Sequence, residues 1–281
     1  MTDPTRHRQL EELDQVTLCA WILLQARSEL YVNMKFLDVS LSSLGFEADW
    51  AREGLGTDGH LIYYGPDYLL GLYKRGRTLV NRGYLHMLFH CLFCHMYTRK
   101  DRDKGYWDLS CDIAMEYVID GLYQKCVHVP RRALRREILE KALSEKGPVL
   151  TAERVYRALL EMELPERRLD MLKAEFFVDS HDLWEQEDSP KIARSRQNKW
   201  NDNREKMQTE LETGSKDASE DNRSLLEEVQ VENRERYDYS RFLQKFAVLK
   251  EEMQVDPDSF DYAFYTYGLS LYGNMPLIEP L

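Results

Sequence analysis

The chain has 281 residues, the length of one large domain or two small ones, and its 43 % hydrophobic and 11 % aromatic content is that of a folded protein rather than a disordered one. A net charge of −11, from 49 Asp and Glu against 38 Lys and Arg, repels polyanions and disfavours general nucleic-acid binding, while leaving a local basic patch open. The five cysteines, odd in number and with no leader ahead of the apolar run Val16–Leu24, predict a reduced, cytoplasmic protein, and no stretch reaches the roughly 18–20 apolar residues of a membrane span.

Along the chain, Leu10, Leu13, Val16, Ala20, Leu23 and Leu24 recur every three to four residues and predict an amphipathic helix over Leu10–Glu29. Tyr31–Phe46 mixes β-branched and aromatic residues and reads as a strand. Gly54, Gly56 and Gly59 mark a turn before a second strand, His60–Tyr64, which Gly65-Pro66 ends. These glycines lack the context and the following Lys-Ser/Thr of a phosphate-binding loop. Pro66–Arg77 is predicted as a helix stopped by Gly76.

Leu79–Met96 is apolar nearly all round, the mark of a helix buried in a core. Further helices are predicted over Trp107–Tyr123, over Pro130–Leu143 with Pro130 near its first turn, and over Thr151–Met162 with Thr151 as N-cap. Residues 185–236 hold 24 charged residues in 52, a solvated helix or a loose linker whose expected loop is Ser215–Asn222. From Tyr237 the chain turns apolar again, with Phe242, Leu243, Phe246 and Leu249 in a short helix and an aromatic run over Phe260–Tyr272. Residues 1–184 carry 28 acidic and 25 basic side chains and 185–281 carry 21 and 13, so the acidity belongs to the C-terminal third.

The chemistry concentrates on Leu79–Met96. His86 and His90 lie four apart, about 40° of rotation and about 6 Å of rise on a helix, so both imidazoles can reach one ion. Two core histidines bonded to carbonyls or carboxylates are the plainer account of the same pair, since a buried polar ring needs a partner. His95, half a turn out of phase with His86, faces away on an unbroken helix and becomes a ligand if the helix breaks, yet no Gly or Pro lies between His90 and His95 to break it. The third ligand is sought elsewhere: Asp112, a carboxylate within an apolar helix, bonds a metal, a histidine, or Arg82 or Arg99, and His181 in Asp179-Ser180-His181-Asp182-Leu183-Trp184 is the other candidate to close the site. Cys91 and Cys94 form C-x-x-C but lack the βαβ context of a redox motif and a second pair for a zinc ribbon.

The pattern resembles the bacterial metallopeptidase-like, zincin-like domain found N-terminal to a von Willebrand A-like domain, whose helix reads H-E-x-x-H-x-x-x-x-H and precedes a Trp and a helix with an Asp. His86, His90 and His95 match the histidines, and Trp107 and Asp112 match that Trp and Asp, so the likeness covers roughly Leu10–Trp184. Tyr237–Leu243 and Phe260–Pro280 resemble the segment leading into the von Willebrand A-like domain, which is not found before Leu281. The departure is Met87, which stands where the family has its general-base glutamate.

The resemblance implies zinc as cofactor and an AAA-type ATPase and a von Willebrand A-like domain as partners. The expected architecture is α+β and mainly helical: a zincin-like domain over 1–184 with a small sheet before the histidine helix, the charged segment 185–236, and a C-terminal helix and aromatic segment over 237–281. The expected function is a non-hydrolytic metal-binding or protein-interaction module without membrane or nucleic-acid contact. The alternatives are an atypical zinc peptidase with Glu116, Asp108 or Asp112 as base, and a helical scaffold without metal.

Overall fold

The computed structural model describes residues 4–143, 149–185, 189–214 and 223–236. The chain divides into two compact units, Met1–Glu232 and Asn233–Leu281, of which the second, apart from residues 233–236, lies outside the described residues. So do the loop expected over Ser215–Asn222 and the aromatic run Phe260–Tyr272.

The fold is α+β and mainly helical, with one three-stranded sheet. Helix α1 (Pro4–Asn33) runs into a 3-10 turn (Lys35–Leu37) and the short α2 (Asp38–Leu41) before strand β1 (Gly45–Ala48). This corrects the strand expected over Tyr31–Phe46. Leu30, Met34, Leu37, Leu41 and Leu44 recur at alternating spacings of four and three and are all buried, so the helical period outweighs the β propensity of the valines and aromatics between them.

Strand β2 (Leu55–Thr57), which the sequence pattern does not announce, and β3 (Leu61–Tyr64) form an antiparallel hairpin with Thr57 opposite Ile62. β1 pairs in parallel with β3, giving the order β1-β3-β2 with β2 at an edge. The hairpin turn has its own chemistry: Asp58 Oδ1 accepts the N–H groups of His60 (2.8 Å) and Leu61 (2.7 Å), while Gly59 takes φ +81°. At the other end of β3 the backbone passes so close that a Cβ on Gly65 would stand 1.9 Å from the Arg52 carbonyl oxygen.

Helix α3 (Pro66–Arg75) leads into α4 (Arg77–Leu92), every residue of which from Val80 to Leu92 is buried, as its all-round apolar sequence requires. It packs against α1, α3 and α6 (Lys104–Gly121), and α6 packs in turn on α8 (Ala152–Glu161), which Thr151 caps by accepting the Arg154 N–H. The helix expected to start at Pro130 starts three residues later, as α7 (Ala133–Glu137), and continues as a π-turn over Ile138–Ala142. Helix α9 (Glu166–Phe176) precedes the segment that carries His181.

Of the two readings of the charged stretch, helix or loose linker, the structure shows helices α10 (Pro190–Gly214) and α11 (Arg223–Arg236). Their charge conceals anchors. Trp200 is buried and donates its indole N–H to the Gly59 carbonyl (2.8 Å), and the buried Arg204 donates to the Leu92 carbonyl (2.8 Å), one of the unpaired acceptors at the C-terminus of α4. Among the described residues no helix is long and apolar enough to cross a membrane.

The glycines give a paired test of this packing. Gly65→Ala should destabilise the protein by about 1–3 kcal/mol, because backbone must move to admit the methyl. Gly71→Ala, inside α3 with nothing within 4 Å of the new carbon, should stabilise it by roughly 0.5–1 kcal/mol. Urea denaturation of both variants checks the contrast.

Candidate metal centre

The i, i+4 spacing on α4 does bring His86 and His90 together, with Nε2 facing Nε2 at 2.7 Å. Asp112 of α6 reaches the same point, its Oδ1 lying 3.2 Å from His86 Nε2 and 3.3 Å from His90 Nε2. The fourth member is Asp179, whose Oδ1 is 3.4 Å from His86 Nε2 and 3.9 Å from His90 Nε2. One ligand atom from each of the four lies within 4.8 Å of every other, and all four residues are buried.

The supporting bonds set which nitrogen of each ring faces inward. His86 Nδ1 lies 2.9 Å from Glu116 Oε1. An ionised carboxylate accepts only, so Nδ1 carries the proton and the Nε2 of a neutral ring is left as a lone pair. Glu116 is itself fixed from behind: its Oε2 accepts from Arg82 Nε (2.9 Å), Arg82 Nη2 (2.6 Å) and Arg135 Nη1 (2.5 Å). Its carboxyl is held well below the usual range, because Arg82 above all outweighs the burial that opposes the charge. Glu116 therefore orients His86 and has no oxygen free to act as a base. Arg82, considered from sequence as a partner for Asp112, bonds Glu116 and Asp120 instead.

His95 takes a place that the helical phase argument did not give it. Helix α4 ends at Leu92, and Cys94 adopts the left-handed conformation at φ +57°, so α5 (His95–Thr98) starts on a new axis. A non-glycine residue there costs on the order of 1–2 kcal/mol. Helix α10 supports the break, with Arg204 on the Leu92 carbonyl and Asn201 accepting from the Cys94 thiol (3.3 Å). His95 Nδ1 thereby comes 2.9 Å from His90 Nδ1 and stands behind His90, outside the four-residue group. Burial pushes His95 far down, so it is neutral and can accept the His90 Nδ1 proton, again leaving Nε2 inward.

His181 sits at the edge of the group, its Nε2 3.2 Å from Asp112 Oδ1 and 3.7 Å from Asp179 Oδ1, and its ring stacks on Trp184 at 3.7 Å between centroids. Its Nδ1 is 3.7 Å from Asp108 Oδ1. Asp179 is not singled out by sequence, although it lies two residues before His181. The signal is the period of two in an extended segment, which sends residues 179 and 181 to the same face: Ser180 bridges to Gly56 of β2, and its N–H bonds the Leu55 carbonyl at 2.8 Å.

Electrostatically the group calls for a cation. Burial disfavours charge on His86, yet its bonds to Asp112 and Glu116 prevail and push it up to about 9, while burial and the neighbouring His86 push His90 down to about 3. Burial likewise opposes charge on Asp112, but His181 and the other histidines hold its carboxyl well below the usual range. The two Nε2 lone pairs at 2.7 Å repel unless a proton or a metal ion lies between them. Both Asp179 oxygens are buried without a hydrogen-bond partner among the described residues, a state that costs several kcal/mol for a charge unless a cation compensates it. Two imidazoles and two carboxylates in tetrahedral number are a donor set that suits zinc-type ions.

Met87, next to His86 in sequence, is fully buried in the hydrophobic core. No curated protein and no solved structure matches the chain. A family model described as "Putative metallopeptidase domain" matches residues 23–250, a span that contains the whole four-residue group, and the chain belongs to that family.

Proposed function

We propose that this chain is a metal-binding member of its family that does not hydrolyse peptides, with zinc held by His86, His90, Asp112 and Asp179. The observation that carries the reading is Asp179, a buried carboxylate that has no hydrogen bond among the described residues and is the fourth member of the donor group. Structural zinc sites use four protein ligands, whereas catalytic ones keep a position open.

A bound zinc would supply Lewis acidity and a fixed divalent charge. The chain's own residues point away from peptide hydrolysis. Glu116 holds the proton at His86 Nδ1, His95 takes the corresponding bond at His90, and the stacked His181 and Trp184 rings both meet the His90 ring edge-on. The candidate bases are otherwise engaged: Met87 has no basic atom, Glu116 is bound by two arginines, and Asp112 belongs to the donor group. Asp108 is the one carboxylate that keeps the atypical peptidase in view, since its Oδ1 is buried without a hydrogen bond.

As a module the protein would work beside a von Willebrand A-like domain and an AAA-type ATPase in the cytoplasm. The sequence resemblance supports the partners. The outer face of α1 supports an interaction role, because Leu18, Trp21, Leu24, Tyr31 and Val32 are exposed there.

Purified protein expressed with zinc should hold about one ion per chain, as a closed site of this type retains its metal. His86→Ala should hold none, and Glu116→Gln should weaken zinc binding roughly 10–100-fold by losing the charged partner of His86. Elemental analysis and chelator competition read both. A wild type without zinc would overturn the metal reading. Cleavage of a peptide library by wild type, lost in His86→Ala and in Asp108→Asn, would replace it with the atypical peptidase. Met87→Glu should remain inactive while Asp179 occupies the fourth position.

Glu116 also carries a stability prediction independent of metal. Glu116→Ala should cost about 3–5 kcal/mol in chelator-treated protein, because Arg82 and Arg135 lose their shared buried counter-ion. Chemical denaturation measures it.

A further inference from the structure

Asp179–Glu185 is seated like a bound peptide. Strand β2 lies at a sheet edge, and Ser180 pairs with it in parallel through the Gly56 bridge and the bond from its N–H to the Leu55 carbonyl. Gly56 permits the approach, since a Cβ there would stand 3.0 Å from the Ser180 carbonyl oxygen and 2.8 Å from Arg52 Nη1. Acidic residues recur every third position, and each has its own positive or cation-seeking seat. Asp179 enters the histidine group, Asp182 takes both Arg52 Nη atoms at 3.0 Å, and Glu185 meets Arg99 at 3.0 Å and Lys104 at 3.8 Å. Arg99, Lys104 and Trp184 line a cavity of about 480 Å³ at the Glu185 end.

The segment fits this seat incompletely. Trp184 Nε1 is buried without a hydrogen-bond partner among the described residues, and Asp179, His181 Nε2 and Arg52 Nε have ion-pair contacts (Asp179 with His86 at 3.4 Å, His181 with Asp112 at 3.2 Å, Arg52 with Asp49 at 3.5 Å) that do not reach hydrogen-bond geometry. A well-finished core satisfies such groups, so a competing chain that meets them better can take the seat.

We propose that residues 179–185 are an internal occupant of a docking groove for an acidic partner peptide of the pattern acid-x-x-acid-x-x-acid, extended where it meets the β2 edge and turned into a 3-10 helix beyond it, as Asp182–Glu185 is. The partner pairs with the β2 edge and displaces the strap from Arg52, from Arg99 and Lys104, and from the fourth donor position. The Asp179 seat rests on the proposed metal site, whereas the Asp182 and Glu185 seats do not.

The test uses the full chain and a labelled synthetic peptide with the sequence of residues 178–185, beside a neutral copy with Asn and Gln in place of its acids. Asp182→Asn/Glu185→Gln, two changes at partly exposed side chains, should free the strap. The Ser180 amide should then exchange its hydrogen about tenfold faster than in wild type, the scale expected for losing a bidentate and a part-exposed ion pair. Fluorescence anisotropy should show the acidic peptide binding this variant about tenfold more tightly than wild type, with binding lost on adding Arg52→Ala and Arg99→Ala. Unchanged exchange, no peptide binding, or equal binding of the neutral copy overturns the proposal. Repeating the titration with chelator separates the two readings. Peptide binding that keeps its dependence on Arg52 and Arg99 without zinc upholds the groove even if zinc is never bound, and zinc bound at one per chain without any peptide binding sinks the groove alone.

Discussion

Two buried carboxylates without a permanent positive partner set the terms for the rest of this structure. Glu116 and Asp120 are compensated by Arg82, Arg135 and Arg131. Asp112 and Asp179 have only histidines as ion-pair partners among the described residues, and an imidazole's charge is conditional. Burying a carboxylate costs several kcal/mol unless a cation and hydrogen bonds offset it. The neighbouring elements are arranged around that need: α4 supplies two imidazoles, α6 supplies Asp112 together with the Glu116 that orients His86, and the strap after α9 brings Asp179 and His181. A divalent cation balances two carboxylates with both imidazoles neutral and leaves their outer hydrogen bonds at Nδ1 in place.

Part of this is legible in the sequence, and the reason is periodicity. An all-round apolar run carrying histidines four apart can only be a core helix presenting both rings to one side, and Asp112 stands out as a charge inside an apolar helix. The illegible part depends on long-range support. Cys94 breaks the helix without a glycine because Arg204 and Asn201 of α10, more than a hundred residues away in sequence, bond to its end; a local rule sees no breaker there. β2 is three residues long and hidden among glycines, so nothing local distinguishes it from a turn. Asp179 looks like one polar residue among several in a loop. Detecting it requires taking residues 179–181 as extended, and the reason to do so is the edge of a strand that the sequence itself conceals.

The strand expected over residues 31–46 fails for the opposite cause. Its β-branched and aromatic side chains are conspicuous, while the run Leu30, Met34, Leu37, Leu41 and Leu44 is decisive. Propensity describes what a residue prefers on a half-buried pleated surface, and burial on one side of α1 and α2 is a stronger term. Similarly, the charge of residues 190–214 says that one face is solvated and leaves the other open; Trp200, Met207 and Leu211 bury that other face.

Met87, which stands where the resembled family has a general base, and Asp179, which supplies the fourth member of the donor group, bear on the same question from two directions. If the histidines served stability alone, apolar side chains of similar volume would serve as well or better, since a buried charged network is seldom more stabilising than its hydrophobic substitute. Met87 is just such an apolar replacement, at a position where only catalysis requires a carboxylate. Its neighbours keep their polar atoms aimed at one point, with the orienting bonds at His86 and His90 Nδ1 made and both Nε2 atoms turned inward. On the proposed reading, a chain with an apolar residue where the resembled family has its base, and with four donors aimed at one point, keeps an ion and does not use it on a peptide bond. The chemistry that this reading leaves to the site is recognition, which the proposed displacement of the strap would carry through the acidic side chain that completes the donor group.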